Sequence, residues 1–121
     1  MTVLEDLLAL GFEPITNWVL KGSRIGLESL AFEENGGWLY AFVVDGDVKY
    51  IGLTTRVLRS RMDDYAYIHN SQTDRLRSLI MTELQAGRAV QIYGSKQSDA
   101  ATLAAEESRL RALHNPDWNR I

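Results

Sequence analysis

Large apolar residues alternate with other residues in two short runs near the middle of the chain, 38–44 and 48–53. Between the runs stands Asp45-Gly46-Asp47. An Asp-Gly pair between two β-prone runs is one of the stronger local signals for a β-hairpin. The pattern therefore predicts two antiparallel strands joined by a tight turn.

After the second run the apolar spacing changes to that of a helix. Leu58, Met62 and Tyr65 recur on one helical face, and Thr54 or Thr55 stands where a residue could cap the start of the helix,. The chain therefore predicts a helix directly after the hairpin.

The remaining periodicity predicts an α+β fold, in which helices flank a small three-stranded antiparallel sheet. Residues 1–37 form an N-terminal extension, with a helix and a possible hairpin, that packs on a core of residues 38–121. Ser98 or Asp99 is expected to cap the last helix,. The other predicted elements are helices over 2–10, 72–86 and about 100–113, weak strands at 18–20 and 25–30 around Lys21-Gly22-Ser23, and a third core strand over 89–93,.

Composition is that of an ordinary globular domain, with 45% hydrophobic and 24% charged residues in a chain of 121,. The chain has no apolar run of the length needed to cross a bilayer, and its acidic start at Glu5 and Asp6 is unlike a secretory signal,. We therefore expect a cytoplasmic protein without a membrane partner.

The residue types restrict the possible metal sites. The chain has no cysteine and only two histidines, His69 and His114, which excludes disulfides and zinc-cysteine sites,. Any metal is expected to take oxygen ligands, which favours Mg²⁺ or Mn²⁺.

The net charge of −3 is unusual for a protein that binds nucleic acid,. The charge is unevenly distributed: residues 1–37 carry six acidic and two basic side chains, which leaves +1 for residues 38–121. The segment 49–61 holds one lysine, three arginines and no acid. A local basic surface is therefore expected beside the hairpin.

Packing of the hairpin on the helix would bring four polar side chains together. Tyr40, Tyr50, Arg61 and Tyr65 would then surround the strand end at Gly52. A guanidinium and phenolic hydroxyls in this arrangement suit an anionic, phosphate-like ligand.

These residues resemble the GIY-YIG nucleases. Members of that family have a short strand ending in tyrosine, then Tyr-Ile-Gly, then a helix with an arginine and a tyrosine or histidine one turn later. Here Tyr50-Ile51-Gly52 is followed by Arg61 and Tyr65 in that order, and the first triplet reads Trp38-Leu39-Tyr40.

A second resemblance lies far along the chain. Glu107 is followed by Pro116 and Asn119, in the spacing of the nuclease domain of bacterial excision-repair endonucleases. On a helical wheel Glu106 lies closer to the centre of the apolar stripe, so Glu106 is the alternative to Glu107 as a metal ligand.

The resemblance implies a metal-dependent endonuclease that hydrolyses phosphodiester bonds in DNA. It implies that Glu107 holds Mg²⁺ (or Mn²⁺) and that Arg61 clamps the phosphoryl oxygens. Tyr40 would activate water, a role that requires a nearby cation such as Arg61 to lower the pKa of its phenol. Tyr50 would position the phosphate, and Tyr65 would bind the phosphate or relay a proton. The further expected substrate-binding residues are Gly52, Thr54, Arg56, Arg59 and Asn119.

Two other functions remain open at this point. One is a catalytically degenerate GIY-YIG-like module that binds nucleic acid or a protein partner without cutting. The other is a structural subunit that associates through residues 1–37. A nuclease of this size is expected to need a specificity-providing protein partner or a second copy of itself to select its DNA.

Overall fold

The structure is a computed structural model that describes residues 2–29, 36–97 and 99–120. The described chain folds into helices and strands in an α+β arrangement, as expected. In order along the chain, the elements are α1 (Val3–Ala9), β1 (Glu13–Lys21), β2 (Arg24–Leu27), β3 (Trp38–Val44), β4 (Asp47–Thr54), α2 (Leu58–Tyr67), α3 (Ser71–Gln85), β5 (Val90–Lys96), α4 (Ala100–His114) and a short 3₁₀ turn (Asp117–Asn119).

All the strands belong to one antiparallel sheet in the order β2-β1-β5-β3-β4. The prediction of a three-stranded sheet was wrong, because the sheet formed by the described residues has five strands. The weak N-terminal hairpin forms as expected around Gly22, but β1 is nine residues long and pairs along β5. The polar residues at the start of β1 conceal this strand in the sequence pattern. Leu30, the expected end of β2, lies outside the described residues.

The two faces of the sheet are covered by different helices. Every residue of β3, which lies between β5 and β4, is buried. Alternate side chains of a strand point to opposite faces, so Tyr40 and Phe42 pack with α2 and α3, whereas Ala41 and Val43 pack with α1 and α4. The sheet is therefore the middle of three layers.

The hairpin of β3 and β4 is the element that the sequence predicts best. Asp45 and Gly46 have φ angles of 50° and 81°, which are the positive values that a two-residue type I′ turn requires,. Val44 and Asp47 are the flanking partners. The predicted Asp-Gly turn is confirmed.

The start of α2 differs from the prediction. Neither Thr54 nor Thr55 caps the helix, because α2 begins after Val57, which provides no side-chain cap. The Thr54 hydroxyl instead accepts a hydrogen bond of 3.0 Å from the backbone N–H of Arg56 and so holds the loop between β4 and α2. Asp99 caps α4 through the backbone N–H of Thr102, while Ser98 lies outside the described residues.

Within the described residues, no helix has the length and apolar content that crossing a bilayer requires.

Candidate active site

Tyr40 lies in the middle of β3, directly opposite Gly52 of β4, and is completely buried. A Cβ atom placed on Gly52 would lie 2.6 Å from Cζ and 2.7 Å from the hydroxyl oxygen of Tyr40. The Tyr40 ring therefore lies across the backbone of Gly52. Because the Tyr40 ring lies this close, the last position of the Tyr-Ile-Gly triplet has room only for glycine.

Helix α2 brings Arg61 and Tyr65 to the Tyr40 hydroxyl. The hydroxyl oxygens of Tyr40 and Tyr65 are 2.5 Å apart, and Nε of Arg61 donates to the Tyr40 hydroxyl over 3.2 Å. The Arg61 guanidinium also lies over the Tyr65 ring, 4.7 Å from its centroid, which is a cation–π distance,. The three side chains thus form one contact cluster, which we call the Arg61 cluster.

Burial changes the acidity of the two phenols. Desolvation raises the pKa of Tyr40 well above its usual value, and the nearby Tyr50 raises it further, although Arg61 acts in the opposite direction. Desolvation likewise raises the pKa of Tyr65,. The expectation that Arg61 would lower the pKa of Tyr40 is therefore outweighed by burial. Both hydroxyls are neutral at pH 7.

Asp64, which the sequence pattern did not single out, orients two arginines through its carboxylate. Its Oδ2 accepts from Nη1 of Arg61 over 3.2 Å and from Nη2 of Arg56 over 2.8 Å. Asp64 lies one helical turn after Arg61, so the i, i+3 spacing is a signal that could have identified it. Arg56 is thereby joined to the Arg61 cluster.

Tyr50 belongs to a second group of polar side chains. Its hydroxyl accepts a hydrogen bond of 3.2 Å from Gln72 of α3. Its ring centroid is 6.2 Å from that of Tyr40, so the aromatic rings connect this group with the Arg61 cluster. Tyr50 lines a cavity of about 340 Å³, which we call the Tyr50 cavity, together with Ser71, Gln72, Arg75, Arg111 and Asn119.

Glu107 is connected to the Tyr50 cavity through Arg111. The guanidinium of Arg111 lies 3.7 Å from the Glu107 carboxylate, and the same side chain lines the cavity. Glu106 instead pairs with Arg109 over 2.9 Å, and this contact lowers the pKa of Glu106. The Glu107 side chain is 18% exposed and that of Glu106 is 35% exposed. These contacts favour Glu107 as the carboxylate nearer to the cavity.

The donor groups fit a sparsely coordinated cation. The described part of the chain has no group of three or more histidine, aspartate, glutamate or cysteine side chains arranged to hold a metal. Mg²⁺ commonly keeps several waters and takes only one or two carboxylates from the protein. A single carboxylate such as that of Glu107 is compatible with this mode of binding.

Two of the expected substrate-binding residues, Asn119 and Arg59, make their contacts outside the Arg61 cluster. The carboxamide of Asn119 accepts from the backbone N–H of Ile51 over 2.9 Å and donates to the Ile51 carbonyl over 2.8 Å. Both ends of the amide thus hold β4 in place. Arg59 lines a separate depression beside Lys21 and Asp63.

Two solved structures share this fold. A glutamate-to-alanine mutant of bacteriophage T4 EndoII matches with a TM-score of 0.77 and 21% identity over 98% of each chain. Restriction endonuclease Hpy188I in complex with product DNA matches with a TM-score of 0.59 and 16% identity, over 95% of this chain and 82% of its own. No family model and no curated protein sequence matches the chain. At these identities the likeness shows the fold alone.

Proposed function

We propose that this chain is a metal-dependent endonuclease of the GIY-YIG type that hydrolyses phosphodiester bonds in DNA. The observation that carries the proposal is the Arg61 cluster, in which Arg61 donates to the Tyr40 hydroxyl and lies over the Tyr65 ring, beside the glycine that the Tyr40 ring requires. The shared fold with a restriction endonuclease bound to product DNA supports it. DNA is accordingly the proposed substrate and partner.

The side chain of Arg61 has 24% of its surface exposed, whereas Tyr40 and Tyr65 are completely buried. Arg61 is therefore the member of the cluster that would meet the non-bridging phosphoryl oxygens. Charge stabilisation of this kind is typically worth about 3 to 4 kcal/mol in the transition state. Tyr50 would position the phosphate from its cavity.

Tyr40 and Tyr65 would act as neutral hydroxyls. In the resting protein the Tyr40 hydroxyl accepts from Arg61 and is hydrogen-bonded to Tyr65, and with substrate bound the two hydroxyls would orient the attacking water. This role replaces a permanently ionised Tyr40, because burial favours the neutral phenol. Asn119 would contribute by fixing the strand that carries Tyr50 and Gly52.

Glu107 would hold the Mg²⁺ or Mn²⁺ ion, which supplies Lewis-acid polarisation and stabilises the departing 3′ oxygen. Arg111 would have to release the carboxylate for this to occur, since the two groups are 3.7 Å apart. Mg²⁺ binding can be measured directly by isothermal titration of the metal into the protein. Glu107→Gln should abolish the heat of binding, with Glu106→Gln as the matched control.

The experiment that tests the function is nicking of supercoiled plasmid and branched DNA with Mg²⁺ or Mn²⁺. Arg61→Ala and Glu107→Gln should each reduce the rate by about 100-fold or more, whereas Glu106→Gln should cut at nearly the wild-type rate. Failure of the wild type to cut either DNA with either metal would refute the proposal. Loss of cutting in Glu106→Gln alone would move the metal ligand to Glu106.

The second candidate function is a degenerate module that binds nucleic acid or a protein partner without cutting. The complete burial of Tyr40 and Tyr65 and the ion pair that engages Glu107 favour it. Tight DNA binding by a wild-type protein that never cuts would select this candidate.

The remaining proposals concern the domain organisation, the location and the partners of the protein. We propose that residues 1–37 are an extension that packs on the core formed by 38–121, and pairing of β1 with β5 supports this. We also propose a cytoplasmic protein that selects its DNA through a protein partner or a second copy of itself.

A further inference from the structure

Two depressions lie between the β1–β2 hairpin and helices α2 and α3. One has a volume of about 370 Å³ and includes Lys21 and Arg59, and the other has about 410 Å³ and includes Arg24 and Arg77. Both are lined by Tyr67, the last residue of α2. We call this continuous surface the hairpin trough.

The hairpin trough is basic although the protein is acidic. Four cationic side chains line it, Lys21, Arg24, Arg59 and Arg77, of which Arg77 is held by Asp74 and by the Ile68 carbonyl. The acidic side chains in contact with it are Asp63, which lines one depression, and Asp74, which lies 2.6 Å from Arg77. The local balance is thus +2 with histidine counted as neutral, whereas the whole chain carries −3. Such a concentration of positive charge suits a polyanion.

Tyr67 gives the trough a second chemical property. Its residue surface is 54% exposed, and it lies where the two cationic depressions meet. An exposed aromatic ring between cations is the arrangement that proteins use to stack the bases of an unpaired strand while cations hold the phosphates. A base within an intact duplex presents no free face to such a ring.

We propose that the hairpin trough binds an unpaired segment of nucleic acid, with phosphates at the exposed Lys21 and Arg24 and one base stacked on Tyr67. The inference deepens the proposed function, since Arg59 and Arg61 lie on the same helix. A DNA with a frayed, branched or looped strand would then be the preferred substrate.

The test measures binding without cutting. A 5′-fluorescein-labelled 12-mer of oligothymidine is titrated with the full chain in EDTA, and its fluorescence anisotropy is recorded at several salt concentrations. Tyr67→Ala should weaken binding by about tenfold, and Tyr67→Phe should retain it, because the stacking face is kept. Arg24→Ala should lower the slope of log K against log salt by about 0.7.

Two controls isolate the trough. Arg109→Ala removes an arginine from α4, on the other side of the sheet, and should leave both the affinity and the salt slope unchanged. A fully paired duplex of the same length should bind wild type and Tyr67→Ala equally. Equal affinities of Tyr67→Ala and wild type for the 12-mer, or an equal loss in Arg109→Ala, would overturn the inference.

The outcome is separable from that of the proposed function. If the protein binds the 12-mer through Tyr67 but never cuts plasmid, binding at the hairpin trough is supported and the proposed nuclease function is refuted. If the protein cuts plasmid but binds the 12-mer independently of Tyr67, the nuclease function is supported and binding at the hairpin trough is refuted.

Discussion

Replacing Gly52 by alanine is the most direct test of how the site is built. The new Cβ would lie 2.6 Å from Cζ and 2.9 Å from Cε1 of Tyr40, well inside van der Waals contact. Tyr40 cannot move away easily, because it is completely buried and its hydroxyl is held by Tyr65 and Arg61. The substitution therefore acts as overpacking at the centre of the site.

The expected cost is about 3 kcal/mol in the free energy of unfolding. Overpacking of a well-packed core typically costs about 1 to 3 kcal/mol, and a weakened hydrogen bond to charged Arg61 adds about 1.5 kcal/mol or more. Nicking should fall together with stability, because the Tyr40 hydroxyl is displaced from Arg61.

Urea denaturation followed by circular dichroism measures the change in the midpoint at constant m-value. Gly26→Ala is a matched control in strand β2, where the new Cβ would meet only the flexible side chain of Lys21. This control should change stability by less than about 0.5 kcal/mol. Because the clash involves Tyr40, Gly52→Ala should cost much less in a Tyr40→Leu background. Equal stability of Gly52→Ala and wild type, or additive effects in the double variant, would refute the reasoning.

Two further predictions concern Asn119 and Tyr40. Asn119→Ala should destabilise the fold by about 1 to 3 kcal/mol, because it leaves the N–H and C=O of Ile51 without the carboxamide, and hydrogen exchange at the Ile51 amide should accelerate,. Since burial raises the pKa of Tyr40 in the folded state, its contribution to stability is complete below about pH 10 and is lost as the pH rises above that,. Above pH 10 the free energy of unfolding, measured by urea denaturation, should fall less steeply with pH in Tyr40→Phe than in the control Tyr67→Phe. The two slopes should differ by up to about 1.4 kcal/mol per pH unit. Identical slopes in the two variants would contradict this account.

Local patterns in the sequence account for the centre of the molecule. The Asp45-Gly46 turn fixes the register of β3 against β4, and with it the placement of Tyr40 opposite Gly52. Helical spacing then places Arg61 and Tyr65 on the face that packs on β3. The Arg61 cluster was predictable because the turn, the strand register and the helical spacing that form it all lie within one short stretch of chain.

The features that escaped prediction depend on contacts between distant segments. Pairing of β1 with β5 joins residues far apart in sequence, and nothing in the apolar pattern of either strand specifies the partner. The hydrogen bond between Gln72 of α3 and Tyr50 of β4 likewise forms only when the helix packs on the sheet. Burial of Tyr40, which reverses the expected change in its pKa, is also a property of the whole fold.

The contact between Asn119 and Ile51 has a consequence for self-association. Strand β4 ends the sheet, so its outer side offers backbone N–H and C=O groups that a strand from another molecule could pair with,. The Asn119 carboxamide occupies one such pair of groups and imitates the peptide of a neighbouring strand. The 3₁₀ turn Asp117–Asn119 therefore covers part of the open edge of the sheet, and we expect it to hinder pairing of this edge with a strand of another molecule,.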